Sequence, residues 1–307
     1  MAKKIASVLV LAAAVLVAAA VAVPGSKHPA TSTGIERETD LAQVVAAFVR
    51  GIPREGEGRY STPRPDEARR MAEVFSTLRA GQPGRAAQLA REVDYEVTNT
   101  SDVAGDVAVL REGGTQRRGW GLFVQRLDGS SRLVVEVPHP IADAKTELLG
   151  LEIFNATRAD ALLIAGAHRS AAPGAEADVA HQPDSAFAAV NRAAAQRGTV
   201  VLQPHGFDAR APGRRLGDAV VSSGTPEPGL LAVALARELR HLGVRTCLYR
   251  GDRCRELAAR TNVEGIAARR AGAVFIHLEL AKTLRSSAHR RARIVSAIDR
   301  ALGAVDR

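Results

Sequence analysis

The residues of this sequence that could do chemistry are histidines and acids that directly follow short apolar runs. Four of the eight histidines lie at the end of such a run or within the last one: His139, His168, His205 and His277. In open α/β sheets, ligands bind outside the carboxyl ends of the strands, so these positions favour one shared site. A single histidine of this kind more often forms a local hydrogen bond, and only the combination favours a functional centre.

A zinc site with one open position is the chemistry that these residue types suit. His139, an acid shortly after it and His205 would supply three protein ligands and leave the fourth position to water. The acid is either Asp143 or Glu147. Each also has a purely structural alternative, because Asp143 could cap the following helix and Glu147 could complement its dipole. Water on zinc is acidified toward neutral pH and can attack a carbonyl carbon.

Further residues are candidates for catalysis and substrate binding. Glu279 is the candidate general base, which would take the proton from water and pass it to the leaving amine. His277 precedes it by two residues on a strand, so both side chains would face the same side of the sheet. Arg169, next to His168, could clamp a substrate carboxylate or stabilise an oxyanion, or it could simply pair with Asp178. We expect Arg169, His168 and His277 to bind substrate.

The elements that must position these residues alternate between helix and strand from residue 147 onward. Apolar runs predict strands over 95–97, 107–111, 120–125, 133–137, 161–165, 199–203, 219–222, 244–249 and 273–278. Helical spacing predicts helices over 66–78, 86–91, 147–155, 185–195, 230–242 and 286–302. The expected fold class is α/β, with a mixed open sheet that is covered by helices on both faces.

Four short motifs resemble the zinc-carboxypeptidase-like superfamily. They are Pro138-His139-Pro140 with Asp143 and Thr146-Glu147, Gly166-Ala167-His168-Arg169, Gln203-Pro204-His205-Gly206-Phe207, and His277-Leu278-Glu279-Leu280. The branches that look most similar are the N-formylglutamate amidohydrolases and the phage poly-γ-glutamate hydrolases. The resemblance covers about residues 133–285. It implies a mixed α/β sheet of the phosphorylase/hydrolase-like, zinc-peptidase type, with a zinc site of histidine, acid and histidine.

The resemblance also implies roles for single residues. His139 would be the first zinc ligand, His205 the last, and Glu279 the general base. Carboxypeptidases place the acid three residues after the first histidine, where this chain has Ala142, which argues against ordinary carboxypeptidase activity. Poly-γ-glutamate hydrolases place it slightly further on, which favours Asp143 and leaves Glu147 as its rival.

The N-terminus has the form of an export signal. Lys3 and Lys4 precede an apolar run from Ile5 to Val23, and Ala20-Val21-Ala22 offers the small residues that signal peptidase reads. We expect 1–22 to be a signal peptide or, since the run of 19 residues could span a bilayer, an uncleaved anchor. Residues 23–40 would be a linker and 41–307 a single α/β hydrolytic domain. Within that domain, 41–130 would form N-terminal helices and antiparallel edge strands.

Charge and cysteine content suit a site outside the cytoplasm. The net charge of +9 favours an anionic small-molecule, peptide or cell-wall substrate, whereas scattered arginines and few aromatic residues argue against nucleic acid. Contact with a membrane is expected only through residues 5–23, if they are not cleaved. In an oxidising compartment, Cys247 and Cys254 would form one disulfide; a free, buried Cys247 is the alternative.

Together, these features predict a secreted or cell-surface, zinc-dependent amidohydrolase or peptidase. It would cleave an amide bond near a carboxylate, in a γ-glutamyl compound, an N-acyl amino acid or a wall peptide. One alternative is a wall hydrolase similar to N-acetylmuramoyl-L-alanine amidases, although their Gly-His-Gly-Gly sequence is absent around His139. A non-catalytic cell-envelope binding domain is the other. The chain has neither a Gly-x-Ser-x-Gly elbow nor a Gly-rich phosphate loop.

Overall fold

The computed structural model describes residues 40–305 except 115–117, 130 and 209–216. The expected export segment and almost all of the expected linker therefore lie outside the described residues. Within the described part, none of the helices combines the length and the apolar character that a bilayer span requires.

Nine strands of the described chain form one mixed sheet in the order β1-β2-β3-β5-β4-β6-β9-β7-β8. Strands β1 to β3 pair antiparallel with one another and β3 with β5, whereas β5, β4, β6 and β9 are mutually parallel. Strands β7 and β8 are parallel to each other and antiparallel to β9. The strands are Tyr95–Asp102, Gly105–Glu112, Leu122–Arg126, Leu133–Val137, Ala161–Ile164, Val200–Phe207, Ala219–Ser222, Thr246–Leu248 and Val274–Ala281.

Helices cover both faces of this sheet, which confirms the expected fold class. The α-helices of the described residues, α1 to α9, are Leu41–Arg50, Pro65–Arg79, Pro83–Arg91, Thr146–Ala156, Ala186–Ala194, Leu230–His241, Val263–Arg270, Lys282–Arg285 and Ala288–Val305. Successive strand residues point to opposite faces. Leu162 and Ile164 of β5 therefore join the core under α1, α4, α6 and α9, and Ala161 and Leu163 join the core under α2, α3, α5 and α7.

Several elements differ from the pattern that the sequence predicts. Helix α7 was not predicted; its buried residues are Glu264, Gly265 and Ala268, and it begins where the Asn262 side chain accepts from Gly265 N. Strand β8 is shorter than the predicted 244–249. Strand β6 continues past its apolar run, through Pro204 and His205, because β9 pairs with it as far as Phe207.

The four central parallel strands direct their carboxyl ends to the same edge of the sheet. The chain leaves β4 just before His139, and β6 and β9 end shortly after His205 and Glu279. His205 and Glu279 are direct partners in the β6–β9 register. The fold thereby gathers at one edge residues that are far apart in the sequence.

Candidate metal centre

His139, Asp143 and His205 converge beyond the ends of β4 and β6. The Nδ1 atoms of His139 and His205 lie 3.4 and 3.3 Å from the same oxygen, Asp143 Oδ2. One ligand atom from each of the three residues lies within 4.8 Å of the others. None of the three is more than 9% exposed, and His139 Nδ1 is buried without a hydrogen-bond partner among the described residues. Two imidazole nitrogens and a carboxylate oxygen that face one point are a donor set that suits zinc.

The loop after β4 is held in place by its own backbone and by Arg285. Ile141 and Lys145 take positive φ angles of 57° and 74°, and Asp143 N donates to His139 O at 3.0 Å. The buried Arg285 guanidinium donates to Asp143 O at 2.6 Å and also to Ala144 O. These contacts give the short loop that carries two of the converging side chains a defined conformation.

Gly206 brings the backbone of β6 against this loop. Its N–H donates to Asp143 Oδ2 at 3.1 Å, so the carboxylate is fixed from the strand as well as from the loop. A Cβ atom at Gly206 would overlap the guanidinium of Arg285. Glycine is therefore required here by close packing.

The charge states of Asp143 and His205 favour cation binding. Burial acts to raise the pKa of Asp143, but the close approach of the His139 and His205 rings outweighs burial and holds that pKa well below its usual range. Burial lowers the pKa of His205, which favours the neutral ring that metals require. Burial opposes the charged form of His139, yet the nearby Asp143 carboxylate and the hydrogen bond to Asp178 raise its pKa.

The Nε2 atoms of His139 and His205 each form a hydrogen bond with an oxygen. His139 Nε2 lies 2.7 Å from Asp178 Oδ1, and His205 Nε2 lies 3.2 Å from Gln203 Oε1. Because both acceptors are oxygens, each Nε2 carries the proton and each Nδ1 presents a lone pair toward Asp143. Metal-ligating histidines are usually held in this way. The arrangement fits a divalent metal.

Gln203 connects the centre to a polar network inside the core. Its Nε2 donates to Glu136 Oε2 at 2.7 Å, and its Oε1 accepts from Asn262 Nδ2 at 2.9 Å. Asn191 Nδ2 donates to Glu136 Oε1 at 2.6 Å. None of these side chains is more than 3% exposed, and burial raises the pKa of Glu136 to about 7. This network was not predicted from the sequence. The sequence feature that points to it is a polar residue that interrupts or ends an otherwise apolar run, at Glu136 and Gln203.

Glu279 and His277 lie on β9, beside His205. Glu279 is 7% exposed, and its Oε2 has no hydrogen-bond partner among the described residues. Its Oε1 lies 3.8 Å from His277 Nε2, and His205, His277 and Glu279 form a second, overlapping group of possible ligands. Burial and the nearby Asp143 charge raise the pKa of Glu279 to about 8. An acid with an unused oxygen and a pKa near neutrality is suited to proton transfer.

The remaining candidates lie around the centre in different roles. Arg169 donates to Asp178 Oδ2 at 2.5 Å. This is the pairing that the sequence allowed as an alternative to substrate binding. The half-buried His168 accepts from Ser170 N at 3.1 Å through its Nδ1. Glu147 is buried in the first turn of α4, and it belongs to neither group of possible metal ligands among the described residues. The structure thus places Asp143, not Glu147, between the two histidines.

The chain matches no family model and no curated protein. Solved structures that resemble it include a bacteriophage poly-gamma-glutamate hydrolase, with 16% identity, a TM-score of 0.42, and coverage of 59% of this chain and 86% of that one. An aspartoacylase family protein from Mesorhizobium loti has 11% identity, a TM-score of 0.37, and coverage of 66% and 65%. A succinylglutamate desuccinylase from Silicibacter has 14% identity, a TM-score of 0.35, and coverage of 69% and 65%.

All three structures are less than 25% identical to this chain. Their TM-scores are below 0.5, so the likeness carries no argument about activity. Any assignment of function must come from the side chains of this chain and their geometry.

Proposed function

We propose that this chain is an exported, zinc-dependent amidohydrolase or peptidase that cleaves an amide bond near a carboxylate. The observation that carries the proposal is the convergence of His139 Nδ1, His205 Nδ1 and Asp143 Oδ2 on one point, beside a buried Glu279 with an unused oxygen. A purely structural ion pair with Asp143 would not need lone pairs on both His139 Nδ1 and His205 Nδ1. Among the described residues, the arrangement also includes no serine that could act as a nucleophile.

His139, Asp143 and His205 would hold the zinc ion. When bound, zinc would supply Lewis acidity to the amide carbonyl and to water. Asp178 and Gln203 keep the two imidazole rings in the tautomer that presents Nδ1, and Gly206 and Arg285 keep the Asp143 carboxylate in place. The binding geometry is therefore built before any ligand arrives.

Glu279 would transfer the proton. Its position in register with His205 places it beside the same point, and Oε2 is free to accept from water. A neighbouring cation favours the ionised carboxylate, so zinc would lower its raised pKa and prepare it as a base. Glu279 would then deliver the proton to the leaving amine nitrogen.

Arg169 would bind the carboxylate that lies near the scissile amide. Its side chain is 39% exposed, although one Nη is held by Asp178. Its charge reaches the centre, because it lowers the pKa of His139, His205 and Glu279. His168, whose Nε2 is not used by the Ser170 contact, and His277 would complete the substrate contacts.

Zinc content and three variants test this proposal. The purified chain should bind one zinc ion by elemental analysis and hydrolyse members of a panel of N-acyl glutamates and γ-glutamyl amides until a chelator is added. Glu279→Gln should keep zinc and lose turnover by at least about 100-fold. Asp143→Asn should lose zinc, whereas Glu147→Gln should keep it. Absence of stoichiometric zinc, or turnover that resists chelation, contradicts the proposal; zinc without hydrolysis of any amide favours a binding domain.

Export is the remaining part of the proposal. The bond between Cys247 and Cys254 supports an oxidising compartment. In a native host, the mature protein should begin at Val23 and appear outside the cytoplasm. A chain that retains Met1 and fractionates with membranes would be the anchored form, and an intact chain in the cytoplasmic fraction would contradict export.

A further inference from the structure

A basic groove runs along the open edge of the sheet, away from the candidate metal centre. It is lined by β8, by α6 and by the loop that follows β8, and has a volume of about 830 Å³. Strand β8 is the last in the strand order, so its outer side has no partner strand among the described residues. The arginines that line this edge groove are Arg237, Arg240, Arg245, Arg250 and Arg253, and Asp252 is the acid among the lining residues.

Much of this positive charge is not neutralised inside the protein. Arg245 forms a two-pronged ion pair with Asp218, and Arg237 pairs with Glu238. Arg240 donates to the backbone oxygen of Thr246. The guanidinium groups of Arg250 and Arg253 are exposed and have neither an ion pair nor a hydrogen bond within the described part of the chain. A cleft that is lined by one sign of charge concentrates ions of the opposite sign. The edge groove therefore favours an anionic occupant.

A disulfide fixes the loop that carries the two free arginines. Cys247 on β8 is bonded to Cys254, so residues 248–253 form a short closed loop against the edge strand. Tyr249 and Cys254 pack with Val220 of β7 in a small apolar cluster beneath the loop. Arg250 and Arg253 are thus presented on a rigid frame, which lowers the entropy lost when a ligand binds.

The pairing of the strands gives the distance between the edge groove and Glu279. Cys247 pairs with Val220, and Val220 pairs with Glu279. Neighbouring strands lie about 4.8 Å apart, so β8 runs about 10 Å from the strand that carries Glu279. An extended chain covers about 3.4 Å per residue, and about three residues bridge that distance.

We propose that the edge groove binds a linear polycarboxylate, namely the part of a polymeric substrate that extends beyond the scissile amide. Arginine forks match carboxylates in pairs. Arg240, Arg250 and Arg253, which form no ion pair among the described residues, suit a chain with repeated negative charges. The described residues that line the groove include no aromatic side chain, which argues against the base stacking that single-stranded nucleic acid uses. The role in a substrate rests on the proposed function, whereas binding of the polyanion by the groove does not.

Binding of fluorescent poly-L-glutamate, followed by anisotropy over a salt series, tests the groove directly. The variant Arg250→Gln/Arg253→Gln should bind about 10-fold more weakly and show a shallower salt dependence, because two charge contacts are lost. The control Arg85→Gln/Arg91→Gln removes the same charge from exposed positions on α3, next to the opposite edge strand, and should bind like wild type. Equal affinities for both variants would overturn the proposal, as would groove-dependent binding of polyphosphate without binding of poly-L-glutamate.

Cleavage separates this proposal from the proposed function. For a long γ-glutamyl polymer, kcat/KM should fall in the groove variant by about the loss in affinity, while a single γ-glutamyl amide, too short to reach the groove, should be cleaved as by wild type. Unchanged cleavage of the long polymer would overturn the substrate role and leave the metal centre intact. Groove-dependent binding by a chain that cleaves neither compound would support the groove and refute the proposed function.

Discussion

Replacing Asp178 with asparagine would keep the shape of this side chain and remove the charge that orients His139. Asp178 Oδ1 lies 2.7 Å from His139 Nε2, and Oδ2 lies 2.5 Å from Arg169 and 3.2 Å from His181. In Asp178→Asn, the amide oxygen can still accept from His139. The amide nitrogen then takes the place of Oδ2. Because this nitrogen cannot accept a hydrogen bond, the Arg169 guanidinium loses its partner.

The contacts of Asp178 set the expected magnitude. A charge-assisted hydrogen bond is about twice as strong as a neutral one of about 1 kcal/mol, so the weaker bond to His139 costs on the order of 1 kcal/mol. The released Arg169 charge repels a cation at the centre, which adds a cost of similar order. The sum of about 2 kcal/mol corresponds to about 30-fold weaker zinc binding, within the range for partners of ligating histidines.

Competition with a chromophoric chelator measures this change. Asp184→Asn is the matched control, because it removes the same charge from an exposed position on the same segment. Urea unfolding of both metal-free variants shows whether the fold is retained. If Asp178→Asn binds zinc within about 3-fold of wild type, Asp178 does not support a metal ligand and the reasoning about the His139 tautomer is wrong.

Three further predictions concern the elements that support the centre. Glu136 has a folded pKa of about 7 against 4.5 for an ordinary glutamate, so the folded state keeps a proton that the unfolded chain loses. Stability of the metal-free protein should therefore fall as pH rises from about 4.5 to 7, by on the order of 3 kcal/mol, and urea unfolding of Glu136→Gln should lack this component. Gly206→Ala should lower the free energy of unfolding by about 1–3 kcal/mol, because its Cβ overlaps Arg285; an unchanged urea midpoint would contradict that packing. Cys247→Ser/Cys254→Ser should cost about 2.5 kcal/mol, the loop-closure value for a sequence separation of 7, and wild type under reducing conditions should lose the same amount.

Local pattern was enough to predict most elements of the central sheet. Strand β4 has the predicted limits, and the predicted strand over 161–165 differs from β5 by one residue. Short apolar runs that are bounded by turn residues are typical of buried strands. Helix α7 was not predicted because its buried residues are Glu264, Gly265 and Ala268, which show almost no apolar periodicity. It is helical because its N-cap and its packing outweigh that weak pattern.

The polar network beneath His205 was not predicted for a related reason. Glu136 and Asn191 belong to different elements, and each lies in a largely apolar stretch. Their hydrogen bond at 2.6 Å exists only because α5 packs on the sheet beside β4. A buried polar residue can be recognised in a sequence, but its partner depends on packing.

The sequence by itself determined the alternation of helix and strand and the residue types at the strand ends, because periodicity and turn chemistry are local properties. The tertiary structure alone decided which strands are neighbours. The order β4-β6-β9 brings together His139, His205 and Glu279, which no local rule could pair. It also decided which of two nearby acids faces both histidines: positive φ angles at Ile141 and Lys145 and the bonds from Arg285 turn Asp143 toward them, while Glu147 stays on the first turn of α4. Backbone geometry and long-range contacts made that choice, and spacing along the chain could not.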